Sequence, residues 1–382
     1  MKTFAINTLG CKVNQYEGQQ IRQLLEQLGL EHLQQHHSKP DLIVINTCYV
    51  THTASAKSRQ YIRKAQKLNP DTITVVSGYL PVLRTGELSN LGQNIHFVRH
   101  RPAIVAYLSK IINGNAANSG LQGIQDHQNT LIKTKNGLKI KRKNRLADLP
   151  KLPPLTSFKG QTRAFLKIQD GCDGYCSYCI IPKIRSCVSS RESADVLQEA
   201  RRLVQAGHKE IVVTGIFLGA YGQRSVRRKN WANQQNDKLA YLLDRLAQVP
   251  NLARIRLSSL EPADVTGHLL DVFCFELRKG TAAACMENAV CKTLAKERSK
   301  ILRQLDAELG HKFRQQFIGE AATVLIENSN GQPSGRCERY FMVYLEKKEV
   351  NLKKNDLIYV KLVRNAENNS VIGQVYSGDK ML

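Results

Sequence analysis

The residues best suited to chemistry are three thiols on one short loop, Cys172-x3-Cys176-x2-Cys179, directly after a strand-like run. Thiolates are soft ligands. Three of them on a tight loop can bind three irons of a [4Fe–4S] cube and leave the fourth iron without a protein ligand. An open iron is a place for chemistry, whereas a cube held by four cysteines suits electron transfer or structure. Zinc is the alternative, but zinc sites usually repeat Cys-x2-Cys pairs, and no second pair follows at a suitable distance. The chain's 10 cysteines are not expected to form a disulfide framework, because the cytoplasm in which the chain is expected to work keeps thiols reduced. Cys187, Cys274, Cys285, Cys291 and Cys337 have no ligand spacing relative to the loop and read as small packed hydrophobes. The histidines, His36 and His37 among them, have no acidic or cysteine partner in register and are given no role.

Elements must hold that loop in place. The first ~110 residues alternate strand and helix: Thr3–Thr8 extended, Glu17–Leu28 helical, Leu42–Asn46 a buried strand, Thr53–Asn69 helical, Thr72–Ser77 a strand and Ala103–Ile112 helical. This alternation predicts a parallel sheet covered by helices, with ligands at the carboxyl ends of the strands. A second run of the same kind starts at Arg163–Ile168 and continues through helix Glu192–Ala206, strand Ile211–Thr214, helix Leu239–Ala247, strand Arg254–Ser258 and helix Ala263–Val272. Between the two runs lies a Gly-, Asn-, Ser- and Gln-rich stretch with Lys133, Lys135, Lys139, Lys141, Arg142, Lys143 and Arg145, read as a basic linker. After Phe273 the rhythm stops. A long basic amphipathic helix, Leu294–Phe317, precedes short strands at Ala322–Ile326, Tyr340–Leu345, Leu357–Leu362 and Val371–Tyr376, a pattern that predicts a small antiparallel β-barrel.

Charge points to the partner. Over 382 residues, 56 Lys and Arg stand against 32 Asp and Glu, a net charge of +24. Such a surface repels itself and favours a polyanion. No apolar run reaches the ~18 residues a membrane span needs, and the start of the chain has no apolar export core. The expectation is a cytoplasmic, nucleic-acid-binding α/β protein with no membrane partner.

The stretch Ile168-Gln169-Asp170-Gly171-Cys172-Asp173-Gly174-Tyr175-Cys176-Ser177-Tyr178-Cys179-Ile180-Ile181-Pro182 resembles the cluster loop of radical S-adenosylmethionine methylthiotransferases. The resemblance extends further. Thr8-Leu9-Gly10-Cys11-Lys12-Val13-Asn14-Gln15-Tyr16-Glu17 and Asn46-Thr47-Cys48-Tyr49-Val50-Thr51 are similar to the amino-terminal domain that carries a second, auxiliary cluster. Val213–Gly222 and Arg256–Pro262 resemble the second and third strands of the family's barrel, and the segment from Gly319, with Gly335-Arg336 and Tyr340, is similar to the TRAM RNA-binding domain. The Lys-Val-Asn-Gln-Tyr-Glu wording looks like the branch acting on N6-threonylcarbamoyladenosine beside the tRNA anticodon.

The resemblance implies an amino-terminal methylthiotransferase domain over 1–112, a basic linker over 113–157, a radical S-adenosylmethionine partial (β/α) barrel over 158–317 and a TRAM-like barrel over 318–382. It implies a catalytic [4Fe–4S] cluster on Cys172, Cys176 and Cys179, an auxiliary [4Fe–4S] cluster held in part by Cys11 and Cys48, and S-adenosylmethionine bordered by Gly215 and Ser258. Methylthiolation at C2 of the modified adenosine at tRNA position 37 is the implied reaction, with tRNA and an electron donor as partners.

Two places depart from the family pattern. A third auxiliary cysteine is due after a glycine past the third strand, where this chain reads Val76-Ser77-Gly78-Tyr79-Leu80. A phenol with a pKa near ~10 is a poor substitute for a soft sulfur ligand. The family's later barrel strands are also missing: Leu269–Phe273 runs straight into Phe275–Ala283, which looks like the segment after the last strand, so the barrel is expected to be shortened by about half. An enzyme and a tRNA-binding relic without turnover both stay open on these residues.

Overall fold

Apolar runs too short for helices make the first sheet. Strands β1 (Thr3–Thr8), β2 (Glu31–His32), β3 (Leu42–Thr47), β4 (Ile73–Gly78) and β5 (Ile95–Phe97) are all parallel, in the order β2-β1-β3-β4-β5. β3 is central and buried along its whole length, which is why it reads as an uninterrupted Leu-Ile-Val-Ile run rather than an alternating one. Helix Lys12–Gln27 connects β1 to β2, His52–Leu68 connects β3 to β4, and Ile104–Ile112 follows β5. One apolar cluster joins Phe4, Ile21, Leu25, Leu42, Val44 and Leu108, and a second joins Ile43, Ile45, Ile62, Val76, Tyr79 and Ile180. The alternate residues of β3 thus divide between two cores, as a period of two requires.

The computed structural model describes residues 1–33, 39–50, 52–83, 94–98, 103–113, 130–134, 137–141, 150–176, 179–230, 238–258, 260, 292–346, 352–366 and 369–376. The expected helix Ala263–Val272, the Phe273–Phe275 junction, Cys274, Cys285, Cys291, His36 and His37 lie outside the described residues. The chain divides into two compact units, Met1–Leu155 with Asp170–Val188, and Thr156–Gln169 with Ser189–Leu382. Within the stretch read as a basic linker, β6 (Thr130–Thr134) and β7 (Gly137–Lys141) pair as an antiparallel hairpin.

In the second unit, β8 (Arg163–Lys167) is followed by the two-residue strands β9 (Gln169–Asp170) and β10 (Ser189–Ser190), then by β11 (Glu210–Thr214) and β12 (Arg254–Leu257). β11 lies between β8 and β12 in a three-stranded parallel sheet and is buried throughout. The helices Ser193–Gln205 and Lys238–Ala247 form its crossovers. This matches the order expected from the sequence.

The same unit contains a closed barrel of β13 (Ala321–Asn328), β14 (Ser334–Cys337), β15 (Met342–Leu345), β16 (Leu357–Ala366) and β17 (Ser370–Val375), in the order β13-β14-β15-β17-β16. All pairings are antiparallel except β15 with β17, which is parallel and corrects the expectation of a purely antiparallel barrel. Closure leaves no open edge. Its core holds Val324, Ile326, Cys337, Val343, Val360 and Val371, so Cys337 is the packed hydrophobe expected. Glu210 of β11 is buried and accepts from Arg254 Nη1 at 3.1 Å and Arg256 Nε at 2.6 Å. Those guanidinium groups also donate to barrel carbonyls, Arg254 to Thr323 at 3.0 Å and Arg256 to Cys337 at 2.7 Å.

Candidate cluster site and cofactor edge

The cysteine loop is built from its two ends. Gly171 has φ +78°, and a Cβ there would stand 1.8 Å from the Cys187 carbonyl oxygen, so only glycine admits this close return of the chain. Cys172 N–H donates to the Arg185 carbonyl at 2.8 Å, and Cys179 N–H to the Cys176 carbonyl at 3.0 Å, which turns the loop back on itself. Gly174 N–H donates to Cys172 Sγ at 3.3 Å, a contact that stabilises sulfur in its anionic form. The loop ends in the short helix Ile181–Ile184, with Pro182 in its first turn.

The Arg185 side chain closes the loop's base. It is buried and donates to Glu17 Oε1 at 3.0 Å and Oε2 at 2.9 Å, and to Asp170 Oδ1 at 2.5 Å. Burial opposes its charge, but Glu17, Asp170 and the Tyr79 phenol outweigh that, and the guanidinium is held well above its ordinary pKa. Asp170 and Arg185 flank the three cysteines in sequence, so one guanidinium clasps both ends of the loop onto the helix Lys12–Gln27. Sequence reasoning missed this clasp.

Cys176 is exposed, and Cys172 and Cys179 are half-buried. Burial pushes the Cys172 thiol up, and the charges of Cys179 and Cys176 push it further in the same direction. Among the described residues, no three His, Cys, Asp or Glu side chains already converge into a metal cage. By donor type, spacing, partial exposure and the N–H to sulfur contact, the loop fits a cube with one iron free of protein ligands.

The other predicted residues fall at strand ends. Cys11 caps the helix Lys12–Gln27 just past β1 and is exposed, Cys48 follows β3 and is buried, and Tyr79 follows β4 and is buried. β1, β3 and β4 are neighbours, so the fold brings these three loops to one edge. Asn14 ties the edge together by donating from Nδ2 to the Leu9 carbonyl at 2.5 Å and the Thr47 carbonyl at 3.2 Å. In the second unit, Gly215 follows β11 and Ser258 follows β12, which places both at the carboxyl edge of the three-stranded sheet. A Cβ on Gly215 would press on Gln169 at 3.0 Å, and Gln169 Oε1 accepts from Phe217 N–H at 2.8 Å. Ser258 N–H donates to the Val213 carbonyl at 2.9 Å, while its buried Oγ has no hydrogen-bond partner among the described residues.

Residues 3–99 match the family described as Uncharacterized protein family UPF0004. The threonylcarbamoyladenosine tRNA methylthiotransferase MtaB of Bacillus subtilis (strain 168) is 36% identical over 272 residues, covering 71% of this chain and 54% of that protein. The protein of the same name from Chlamydia pneumoniae is 33% identical over 271 residues, covering 70% and 53%. The chain thus spans about half the length of the curated relatives it matches. A solved radical S-adenosylmethionine methyltransferase, TsrM from Kitasatospora setae with cobalamin and a [4Fe–4S] cluster bound, aligns at 13% identity and a TM-score of 0.37 over 69% of this chain and 62% of that one, too slight a likeness to argue from. Over about 270 residues the chain is thus similar to proteins named threonylcarbamoyladenosine tRNA methylthiotransferase.

Proposed function

We propose that this chain methylthiolates C2 of N6-threonylcarbamoyladenosine at position 37 of tRNA, using a [4Fe–4S] cluster, S-adenosylmethionine as the source of the radical and of the methyl group, and a separate sulfide-level donor as the source of the sulfur. The observation that carries the reading is the Cys172-Cys176-Cys179 loop after a parallel strand, in a chain 36% identical to an enzyme of that name. Cys172, Cys176 and Cys179 would hold the cluster. When bound, cluster and S-adenosylmethionine together supply one-electron cleavage of the sulfonium, for which a separate electron donor is needed. The rest is positioning by protein groups. Gly174 N–H steadies one sulfur, the Arg185 clasp holds the loop's ends, Gly215 keeps a strand end free of a side chain, and Ser258 Oγ offers a cofactor an unused hydrogen bond.

In this reading residues 1–112 form the amino-terminal methylthiotransferase domain, 113–157 the basic strap, 158–317 a shortened radical S-adenosylmethionine barrel and 318–382 a TRAM-like RNA-binding domain. The closed five-stranded barrel supports the last assignment. A tRNA substrate implies a cytoplasmic setting, and among the described residues no helix is long and apolar enough to cross a membrane.

The test is to incubate the anaerobically reconstituted chain with S-adenosylmethionine, reductant, inorganic sulfide and tRNA carrying unmethylthiolated threonylcarbamoyladenosine, and to digest the tRNA to nucleosides. Appearance of the 2-methylthio nucleoside is the expected outcome. Such tRNA bound but not methylthiolated overturns the enzymatic reading in favour of a tRNA-binding relic. The net charge of +24 adds a second expectation. If six to ten phosphates are neutralised, affinity for tRNA falls roughly 10³–10⁵-fold between about 50 and 200 mM salt. A flat titration contradicts phosphate-driven binding.

A further inference from the structure

The family's auxiliary cluster has its expected place at the edge formed by the loops after β1, β3 and β4, and this structure shows that edge filled. Cys48 is only 2% exposed, packed among Ile45, Ile62, Val76 and Tyr79. The Gly10 backbone lies against its sulfur so closely that a Cβ at Gly10 would stand 2.5 Å from Cys48 Sγ. Val50 N–H approaches the same sulfur at 3.5 Å.

Tyr79 takes the third position. It is 0% exposed, and the Arg185 guanidinium carbon lies 4.8 Å from its ring centroid. Arg185 is itself fixed there by its paired bonds to Glu17 and its bond to Asp170. Where a thiolate would have to point at iron, a phenol ring is packed into the core and capped by an immobilised cation. Two thiols remain, one buried and one exposed, and no third Cys, His, Asp or Glu joins them among the described residues. A cube needs at least three protein thiolates to be held like the one expected on the Cys172 loop.

We propose that the β1–β3–β4 edge of this chain holds no iron–sulfur cluster, its place being taken by the Tyr79–Arg185 plug, and that any cluster the protein carries is on the Cys172 loop. The first half of this inference stands independently of the proposed function, and the second half rests on it. The experiment is iron and sulfide counting after anaerobic reconstitution of the full chain, with Cys172→Ala/Cys176→Ala/Cys179→Ala and Cys11→Ser/Cys48→Ser proteins alongside. The expected counts are about four irons per chain in the unsubstituted protein, about four in the Cys11/Cys48 variant and about none in the loop variant. About eight irons in the unsubstituted protein, or about four that survive in the loop variant and vanish in the Cys11/Cys48 variant, overturn the proposal. No iron in any of the three overturns the proposed function but agrees with a filled edge.

Discussion

Replacing Cys176 with Ala is expected to remove the cluster and to lower S-adenosylmethionine cleavage at least about a thousandfold, equivalent to ~4 kcal/mol of transition-state stabilisation at ~1.4 kcal/mol per tenfold. With one of three ligands gone, the loop retains two thiols, fewer than the three protein thiolates that hold a cube with one open iron. Affinity for tRNA should stay within about twofold, because Cys176 is exposed and such surface changes usually shift free energies by no more than ~0.5 kcal/mol. Iron analysis, absorbance of the reconstituted protein and a tRNA-binding isotherm check the three parts together. Collapse of RNA binding along with the iron would make the cluster structural.

The second large effect is on stability. Arg185→Met leaves the Glu17 carboxylate, whose side chain is 3% exposed, buried without its guanidinium partner. Breaking a buried pair from one side costs about 3–5 kcal/mol, whereas replacing both members by apolar groups of similar size is often close to neutral. The expected pattern in urea unfolding is therefore a heavily destabilised Arg185→Met protein and substantial recovery in Arg185→Met/Glu17→Leu. Asp170 still loses its partner in the double variant, but its side chain is 25% exposed and reaches water. Arg185→Lys should not rescue, because an ammonium cannot reproduce the paired bonds to Glu17 or lie flat on Tyr79. Equal stability of the single and double variants would show that the pair is not the source of the effect.

The parts of this architecture that follow local rules were legible in the sequence. β1, β3, β4, β8 and β11 are short apolar runs between amphipathic stretches, and each falls within a residue or two of its expected limits. The helix after β1 begins at Lys12, earlier than the expected Glu17, because Cys11 takes the cap position and Val13, Asn14 and Tyr16 are already buried. What was missed depends on partners distant in sequence. β2 and β5 have two and three residues and exist only as edge pairings to β1 and β4. β14 reads Ser-Gly-Arg-Cys, poor in β-branched residues, and is a strand because Gly335 lets it lie against β13: a Cβ there would stand 1.9 Å from the Leu325 carbonyl oxygen. The parallel β15–β17 pairing that closes the barrel leaves no trace in strand periodicity.

The candidate site divides in the same way. The three loop thiols and the tyrosine substitution could be read directly, since spacing and side-chain type carry them. The clasp could not, because Glu17 and Arg185 are 168 positions apart and a buried ion pair has no local signature. Its discovery changes the meaning of Tyr79 from a missing ligand to one member of a packed group. Ser258 is legible from motif alone, and its buried hydroxyl, without a hydrogen-bond partner among the described residues, supplies the physical reason to look for a ligand there.

The central claim is that the Cys172 loop presents an iron with a free coordination position to S-adenosylmethionine. It is tested most directly by reducing the anaerobically reconstituted chain in the presence of S-adenosylmethionine and measuring 5′-deoxyadenosine. The account predicts that 5′-deoxyadenosine forms with the unsubstituted protein and not with Cys176→Ala. A fully assembled cube that leaves S-adenosylmethionine intact would contradict it.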